Sequence, residues 1–186
     1  SMRAAGDSSE GLAWVHPMLP YAEAKAYMSD KDLEMLSKFY GQRKLKDDAM
    51  VRTDYTPYGY MDQTGKMVIP ARFKSVTTFA EGRAAVRDSK SGKWGFIDIK
   101  GEWAIPAKYD YATPFSAGLA AVTQDRQCGY IDVKGQLKLP LKYKRCDSFS
   151  GDFAVVKNTA GEYHWLSREG KLKSLFKGES FGEVRS

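Results

Sequence analysis

The residues that could carry out catalysis are few and lie far apart in the sequence. The chain has 186 residues with two histidines and two cysteines, and His16 and His164 stand near opposite ends. The sequence contains no phosphate-binding glycine loop, nucleophile elbow or histidine metal motif. We therefore expect both histidines to be structural or solvated. The sequence predicts a protein that is not an enzyme and has no cofactor and no metal.

Three aspartates recur and could suggest a carboxylate cluster for metal binding or acid–base chemistry. Each stands three residues before a glycine: Asp62, Asp98 and Asp132 precede Gly65, Gly101 and Gly135. Asp first and Gly fourth is the preference of a type I turn, in which the carboxylate accepts backbone N–H groups and glycine accepts positive φ. We interpret each aspartate as the cap of its own turn.

These turns belong to a repeat of about 35 residues, the kind of period that defines repeat architectures. An aromatic residue or cysteine, a glycine, an aromatic, an aliphatic residue and aspartate recur at Tyr58–Asp62, Trp94–Asp98 and Cys128–Asp132. An aliphatic-proline pair, a phenylalanine and an Ala-x-Val motif follow in the same order: Ile69, Ile105 and Leu139; Phe79, Phe115 and Phe149; Ala84, Ala120 and Ala154. A degraded fourth copy begins near Tyr163 and keeps the turn glycine as Gly170.

Each copy predicts a three-stranded meander. The aromatic-glycine strand is apolar on both faces, so we place it between the Ala-x-Val strand and the aliphatic-proline strand. One meander this small cannot bury its faces alone, so the copies must pack on one another. The predicted fold is all-β, with tandem three-stranded meanders stacked in an open array. We expect a flexible segment over 1–20, a helical segment and connection over 21–54, and the repeat domain over 55–186.

The segment before the repeats predicts two helices. Residues 21–28 can form a short helix, and Ser29 offers a capping hydroxyl with Asp32 three residues later. The apolar residues of the second helix are spaced by three or four: Leu33, Leu36, Phe39 and Tyr40. We expect this stripe to cover the open end of the array, and a partner-binding helix is the alternative.

The segment Lys93–Asp98, with the turn, proline and phenylalanine positions that follow, resembles the WG-repeat family, also called KWG repeats. The resemblance covers roughly residues 58 to 185. It implies a tandem β-repeat protein, most often bacterial, with no shared catalytic activity and a binding or scaffolding role. We expect an unknown protein or cell-envelope component as the partner, and we favour the cell envelope or secretion over the cytoplasm.

A basic stretch is the best charged feature of the chain, whose formal net charge is +6. Its members are Lys134, Lys138, Lys142, Lys144 and Arg145. We expect a solvated face, and a polyanion-binding module is the alternative function, with nucleic acid possible but not favoured. The longest apolar runs are far shorter than the roughly 20 residues that cross a bilayer, so the sequence predicts no membrane span.

The remaining aromatic and sulfur side chains divide into surface and core candidates. Tyr111 and Tyr55 fall outside the repeated positions and are candidate binding aromatics, whereas Trp103 shares its position with Met67 and Leu137 and is expected in the core. Cys128 and Cys146 lack a metal-ligand spacing and stand at apolar repeat positions. We expect two buried, unreactive thiols, and a disulfide is the alternative.

Overall fold

The computed structural model describes residues 3–4, 10–40, 46–51 and 57–177, and most of these residues form antiparallel strands. The chain divides into two compact units, Ser1–Lys108 and Tyr109–Ser186. Each unit is built mainly from β-meanders, so the predicted all-β repeat fold is confirmed.

The repeating element is a three-stranded antiparallel meander, and the described residues contain four copies of it. Their strands are β2 (Leu12–His16), β5 (Tyr58–Asp62) and β6 (Met67–Val76); β7 (Ala84–Asp88), β8 (Trp94–Ile97) and β9 (Trp103–Tyr109); β11 (Ala120–Gln124), β12 (Gln127–Ile131) and β13 (Leu137–Tyr143); and β15 (Phe153–Lys157), β16 (Glu162–Ser167) and β17 (Leu172–Lys177). The shorter strands are β1 (Arg3–Ala4), β3 (Leu19–Pro20), β4 (Met50–Val51), β10 (Tyr111–Ala112) and β14 (Arg145–Cys146).

The meanders are distributed over three larger sheets. One has the order β1-β2-β5-β6-β7-β8-β9, and the other two have the orders β10-β11-β12-β13 and β14-β15-β16-β17. Strands β3 and β4 form a separate pair. The long β6 serves two meanders, because Ile69 pairs with β5 and Val76 pairs with β7. The predicted order, with the aromatic-glycine strand in the middle, is confirmed in the first three meanders, and β16, which lacks the glycine, takes the middle place in the fourth.

Within each unit, one meander packs against the next around a pair of aromatic rings. Tyr60 and Phe79 have ring centroids 4.9 Å apart, and so do Tyr130 and Phe149. In each case the rings face small and aliphatic side chains of the following meander: Ala84, Val86 and Ile97 in the first unit, and Ala154, Val156 and Leu166 in the second. The phenylalanine between two meanders therefore joins them into one core.

The repeated glycine of the central strand is required by close backbone approach. A Cβ atom at Gly129 would lie 2.4 Å from the carbonyl oxygen of Leu139, and the corresponding contact at Gly59 would be 2.5 Å from that of Ile69. The strand pairing shifts register beside each of these glycines, as a β-bulge does. No other residue fits at these positions without displacing the neighbouring strand.

The three turn aspartates cap their own turns, as predicted. Oδ1 of Asp98 accepts the N–H groups of Lys100 and Glu102 at 2.9 and 3.0 Å, and Gly101 has φ +85°. Asp62 and Asp132 make the same pair of contacts. The side-chain hydrogen bond from Thr64 is the main reason that the pKa of Asp62 lies below its ordinary value. These carboxylates are therefore committed to local structure.

The predicted flexible segment over 1–20 is wrong for Leu12–His16, which form β2. This strand pairs with β5 in the register that β7 uses with β8: Ala13 pairs with Met61, as Ala84 pairs with Ile97. Its sequence, Gly11-x-Ala13-x-Val15, is that of an Ala-x-Val strand, and Val15 is fully buried. The match was missed because a long insertion separates this strand from the rest of its meander.

That insertion contains the predicted helices, α1 (Tyr21–Ala24), a 3-10 helix (Lys25–Tyr27) and α2 (Asp30–Tyr40). Helix α2 begins with the predicted cap. The N–H of Asp32 donates to Oγ of Ser29 at 3.2 Å, and the N–H of Ser29 donates to Oδ2 of Asp32 at 3.3 Å. Nζ of Lys74 on β6 lies 3.1 Å from Oδ1 of Asp32. The helices thus lie in the connection between the paired strands β2 and β5, and the Lys74–Asp32 ion pair joins α2 to the sheet.

The insertion has a small core of its own. Its buried members are Ala24, Met28 and Leu36, against which Leu19, Tyr21 and Leu33 pack. Leu33 and Leu36 of the predicted apolar stripe are used in this core. The side chains of Phe39 and Tyr40 lie outside the described part, so their contribution to the stripe stays a prediction.

Candidate binding surface

The predicted basic residues lie along β13 and its continuation into β14. Lys138, Lys142 and Lys144 alternate along the chain with Leu139 and Tyr143, which are buried. Strand geometry therefore turns these three lysines outward, away from the core. Lys134 stands in the preceding turn and Arg145 begins β14, and both are also exposed. Three of the five cations, Lys138, Lys142 and Lys144, therefore form a row along one side of the strand and do not surround a pocket.

Two of the five cations have acidic neighbours. Nζ of Lys138 lies 3.4 Å from Oδ2 of Asp132, and Nε of Arg145 lies 3.2 Å from Oδ1 of Asp147. Burial opposes ionisation of Asp132, but the N–H groups of Gln136 and Lys134 and the Lys138 ammonium hold its pKa below the ordinary value. Among the described residues, no ion pair involves Lys134, Lys142 or Lys144. No acidic side chain in the described part of the chain therefore neutralises the ammonium groups of these three lysines.

Of the two candidate surface aromatics, Tyr111 lies within the described residues. Tyr111 lies on β10 opposite Thr123, and its side chain is 54% exposed. Tyr55 lies outside the described residues. Tyr111 therefore remains a candidate contact residue at the edge of its sheet.

The expectation of two buried thiols is wrong, because Cys128 and Cys146 form a disulfide with Cα atoms 6.0 Å apart. Cys128 lies on β12 and Cys146 on β14, so the bridge links a central strand to the connector that follows its meander. Sequence spacing alone left both outcomes open. The two positions meet because the chain turns back after β13, which brings the connector beside the central strand.

The assignment of Trp103 to the core is also wrong. Its side chain is 40% exposed, and the equivalent leucines, Leu137 and Leu172, are 55% and 45% exposed. For Leu137 the cause is a register irregularity between the first and third positions of the strand, seen where Tyr130 and Ile131 pair with Leu139 and Leu137. Simple alternation placed Leu137 and Leu139 on one face, whereas a bulge separates them.

Trp103 also lines a pocket of about 140 Å³ in the first unit. The other walls come from the middle of β6, the end of β7 with the turn that follows it, and the 3-10 helix of the insertion, and include Arg72, Asp88, Lys90 and Tyr27. The ring of Phe73 stands perpendicular to that of Trp103, with centroids 5.8 Å apart. Sequence reasoning missed this pocket, because its residues come from segments with no common motif.

Two other kinds of feature are absent from the described ranges, a metal-binding cluster and a membrane-spanning helix. No group of three or more His, Cys, Asp or Glu side chains there is arranged to hold a metal ion. The helices described here are too short and too polar to cross a membrane.

Comparison with known proteins identifies the repeat directly. Three consecutive stretches, residues 58–93, 94–127 and 129–160, match the family model described as the WG containing repeat. Together they cover more than half of the chain. A comparison with curated proteins found no match.

Proposed function

Because the chain belongs to the WG-repeat family, which indicates a repeat-based binding module, we propose that it binds a protein or a cell-envelope component and performs no catalysis. The observation that supports this proposal is the exposed apolar position at the start of the third strand of a meander. In the second unit this position is held by Leu137 and Leu172.

Leu137 and Leu172 are 55% and 45% exposed, so each leaves about half of its apolar area in water. Each is followed by an exposed lysine, Lys138 after Leu137 and Lys173 after Leu172. Apolar side chains framed by cations suit a partner that offers apolar groups beside carboxylates, because burial supplies affinity and charge supplies orientation. Contact through Leu137 and Leu172 is therefore the proposed binding mode.

The test compares capture of partners by three forms of the protein. The wild type, the variant Leu137→Ser/Leu172→Ser and the control Ile99→Ser are immobilised and exposed to an extract of the source organism. Bound proteins are quantified by mass spectrometry. Ile99 is a suitable control because it is 52% exposed in a turn. A partner retained by the wild type and the control but lost with the double variant would support the proposal. Equal retention by all three would refute it.

The disulfide supports an oxidising compartment for this protein, since structural disulfides persist in secreted and envelope proteins and are rare in the cytosol. We accordingly place the binding function in the cell envelope or outside the cell. Recovery of the endogenous protein with two free thiols, after rapid acid quenching and alkylation, would refute this placement.

A polyanion-binding module is the second candidate, favoured by Lys134, Lys142 and Lys144, which lack acidic partners in the described part of the chain. Such binding would weaken steeply with salt, because counterions are released from the polyanion in proportion to the charges neutralised. We expect weak heparin and nucleic-acid binding near physiological salt. Micromolar binding there, abolished by Lys138→Glu/Lys142→Glu, would make polyanion binding the leading function.

A further inference from the structure

A small pocket beside Trp103 is lined by residues distinct from Leu137 and Leu172. It lies within the first unit, between two strands of the sheet and the helical insertion. The Lys74–Asp32 ion pair holds that insertion against β6, two residues from Arg72. The wall formed by Tyr27 is therefore fixed relative to the sheet.

Arg72 is held in place but incompletely satisfied. Its Nη2 donates to the carbonyl oxygen of Gly101, and its guanidinium carbon lies 4.9 Å from the centre of the Phe73 ring. Its Nε is buried, and no acceptor for it is found among the described residues. Because Nε is buried, Arg72 offers a ligand its positive charge through the part of the side chain that lines the pocket, rather than through this N–H group.

The charge of the walls favours a single negative charge on that ligand. Arg72 and the exposed Lys90 contribute two positive charges, and Asp88 contributes one negative charge. Oδ2 of Asp88 already accepts the N–H of Ser91 at 2.7 Å, so this carboxylate is engaged in its own turn. A net charge of about +1 matches a carboxylate better than a phosphate dianion, which the Asp88 carboxylate would repel.

The remaining walls are aromatic and the space is small. Trp103 presents an exposed indole, with Phe73 perpendicular to it. The volume of about 140 Å³ is well below the roughly 300–1,000 Å³ of sites for whole drug-sized ligands. The pocket therefore admits one ring or one side chain together with its charged group.

We propose that this pocket binds a carboxylate carried beside an aromatic or large apolar group. The guanidinium of Arg72 and the ammonium of Lys90 receive the carboxylate, and Trp103 contacts the apolar part. The carboxy-terminus of a protein that ends in an aromatic residue and a free aromatic acid share this chemistry. The proposal goes beyond the binding function inferred above.

The experiment measures binding of four probes to the full chain by isothermal titration calorimetry. They are the peptide acetyl-Gly-Gly-Phe with a free carboxylate, the same peptide amidated, phenylacetate and inorganic phosphate. The variants are Arg72→Gln and Trp103→Leu, and the matched control is Lys157→Gln. Leucine is native to the equivalent positions 137 and 172, so Trp103→Leu preserves the fold. Nζ of Lys157 stands 5.1 Å from the centre of the Tyr163 ring, so this lysine is a cation beside an aromatic ring, as Arg72 is beside Phe73, but it lies in the second unit and outside the pocket.

We expect the acid peptide to bind the wild type and the control equally, and the amide, Arg72→Gln and Trp103→Leu each to weaken binding at least about tenfold. Tighter binding of the peptide than of phenylacetate identifies a protein terminus as the source, and the reverse identifies a free acid. No binding of either acid, equal binding of the amide, or tighter binding of phosphate would overturn the proposal. Leu137 and Leu172 lie outside the pocket. If none of the probes binds the pocket, the proposal for the pocket fails, but the binding function proposed for these leucines is not affected.

Discussion

The disulfide between Cys128 and Cys146 should stabilise the second unit substantially. The two cysteines are 18 residues apart in sequence. Closing a loop of this length in the unfolded chain removes entropy worth about 3 kcal/mol at 25 °C by the loop-closure relation. Reduction leaves both sulfur atoms in place, so it isolates the effect of the cross-link from that of core packing.

The measurement is urea unfolding at neutral pH, with and without a reductant, followed by circular dichroism. With a slope of roughly 1–3 kcal/mol/M, the loss of about 3 kcal/mol lowers the midpoint by at least about 1 M. The variant Cys128→Ala/Cys146→Ala should unfold at still lower urea, because Cys128 is 3% exposed and its removal leaves a cavity. Identical midpoints for the oxidised and reduced proteins would refute the reasoning, as would two reactive thiols in the unfolded, unreduced chain.

Three further substitutions test the packing and the electrostatics. Gly129→Ala should destabilise the protein by at least about 2 kcal/mol in urea unfolding, because the new Cβ would overlap the Leu139 carbonyl oxygen. Tyr130→Phe should cost about 1 kcal/mol in the same assay, since the tyrosine hydroxyl donates to the carbonyl oxygen of Asp147 at 2.7 Å. Burial opposes ionisation of Asp32, but hydrogen bonds from Ser29 and Lys74 lower its pKa. Its stabilising effect should therefore be present above about pH 4 and lost as pH falls through the lowered pKa, so that Asp32→Asn destabilises at pH 7 and has little effect at pH 2.

Each of these expectations has an outcome that would contradict it. Wild-type stability of Gly129→Ala would mean that the neighbouring strand moves freely. Phe96 already stands at the position of Tyr130 in the preceding repeat, so a loss well above 1 kcal/mol would contradict the expectation that the hydroxyl contributes one ordinary hydrogen bond. An equal effect of Asp32→Asn at both pH values would show that packing, not ionisation, sets the contribution of this residue.

The sequence could predict features whose causes are local. The turn of Asp98 and Gly101 follows from the carboxylate's reach to two N–H groups and from the positive φ of the glycine. The cap of Ser29 and Asp32 depends on four consecutive residues. The sequence also predicts that the glycine of the central strand allows close approach of the neighbouring backbone, because this glycine recurs in a strand whose two faces are both apolar.

Features that depend on contacts between distant segments of the chain could not be predicted from the sequence. β2 carries a recognisable Ala-x-Val motif, but its partner strand begins at Tyr58, beyond the helical insertion. The bulge that separates Leu137 from Leu139 arises from pairing between strands and leaves no mark on the alternation of the sequence itself. The pocket around Arg72 joins a strand, a turn and a helix, so no linear motif could identify it.

Comparison of the repeats separates residues that build the fold from those available for recognition. Glycine at 59, 95 and 129 and the turn glycines recur because backbone geometry fixes them. The position of Trp103 changes to leucine at 137 and 172, and all three side chains remain substantially exposed. A position that tolerates such change without leaving the surface is under no packing constraint from its own meander. Under the binding function proposed above, each meander can therefore present its own contact residue at this position of the same scaffold.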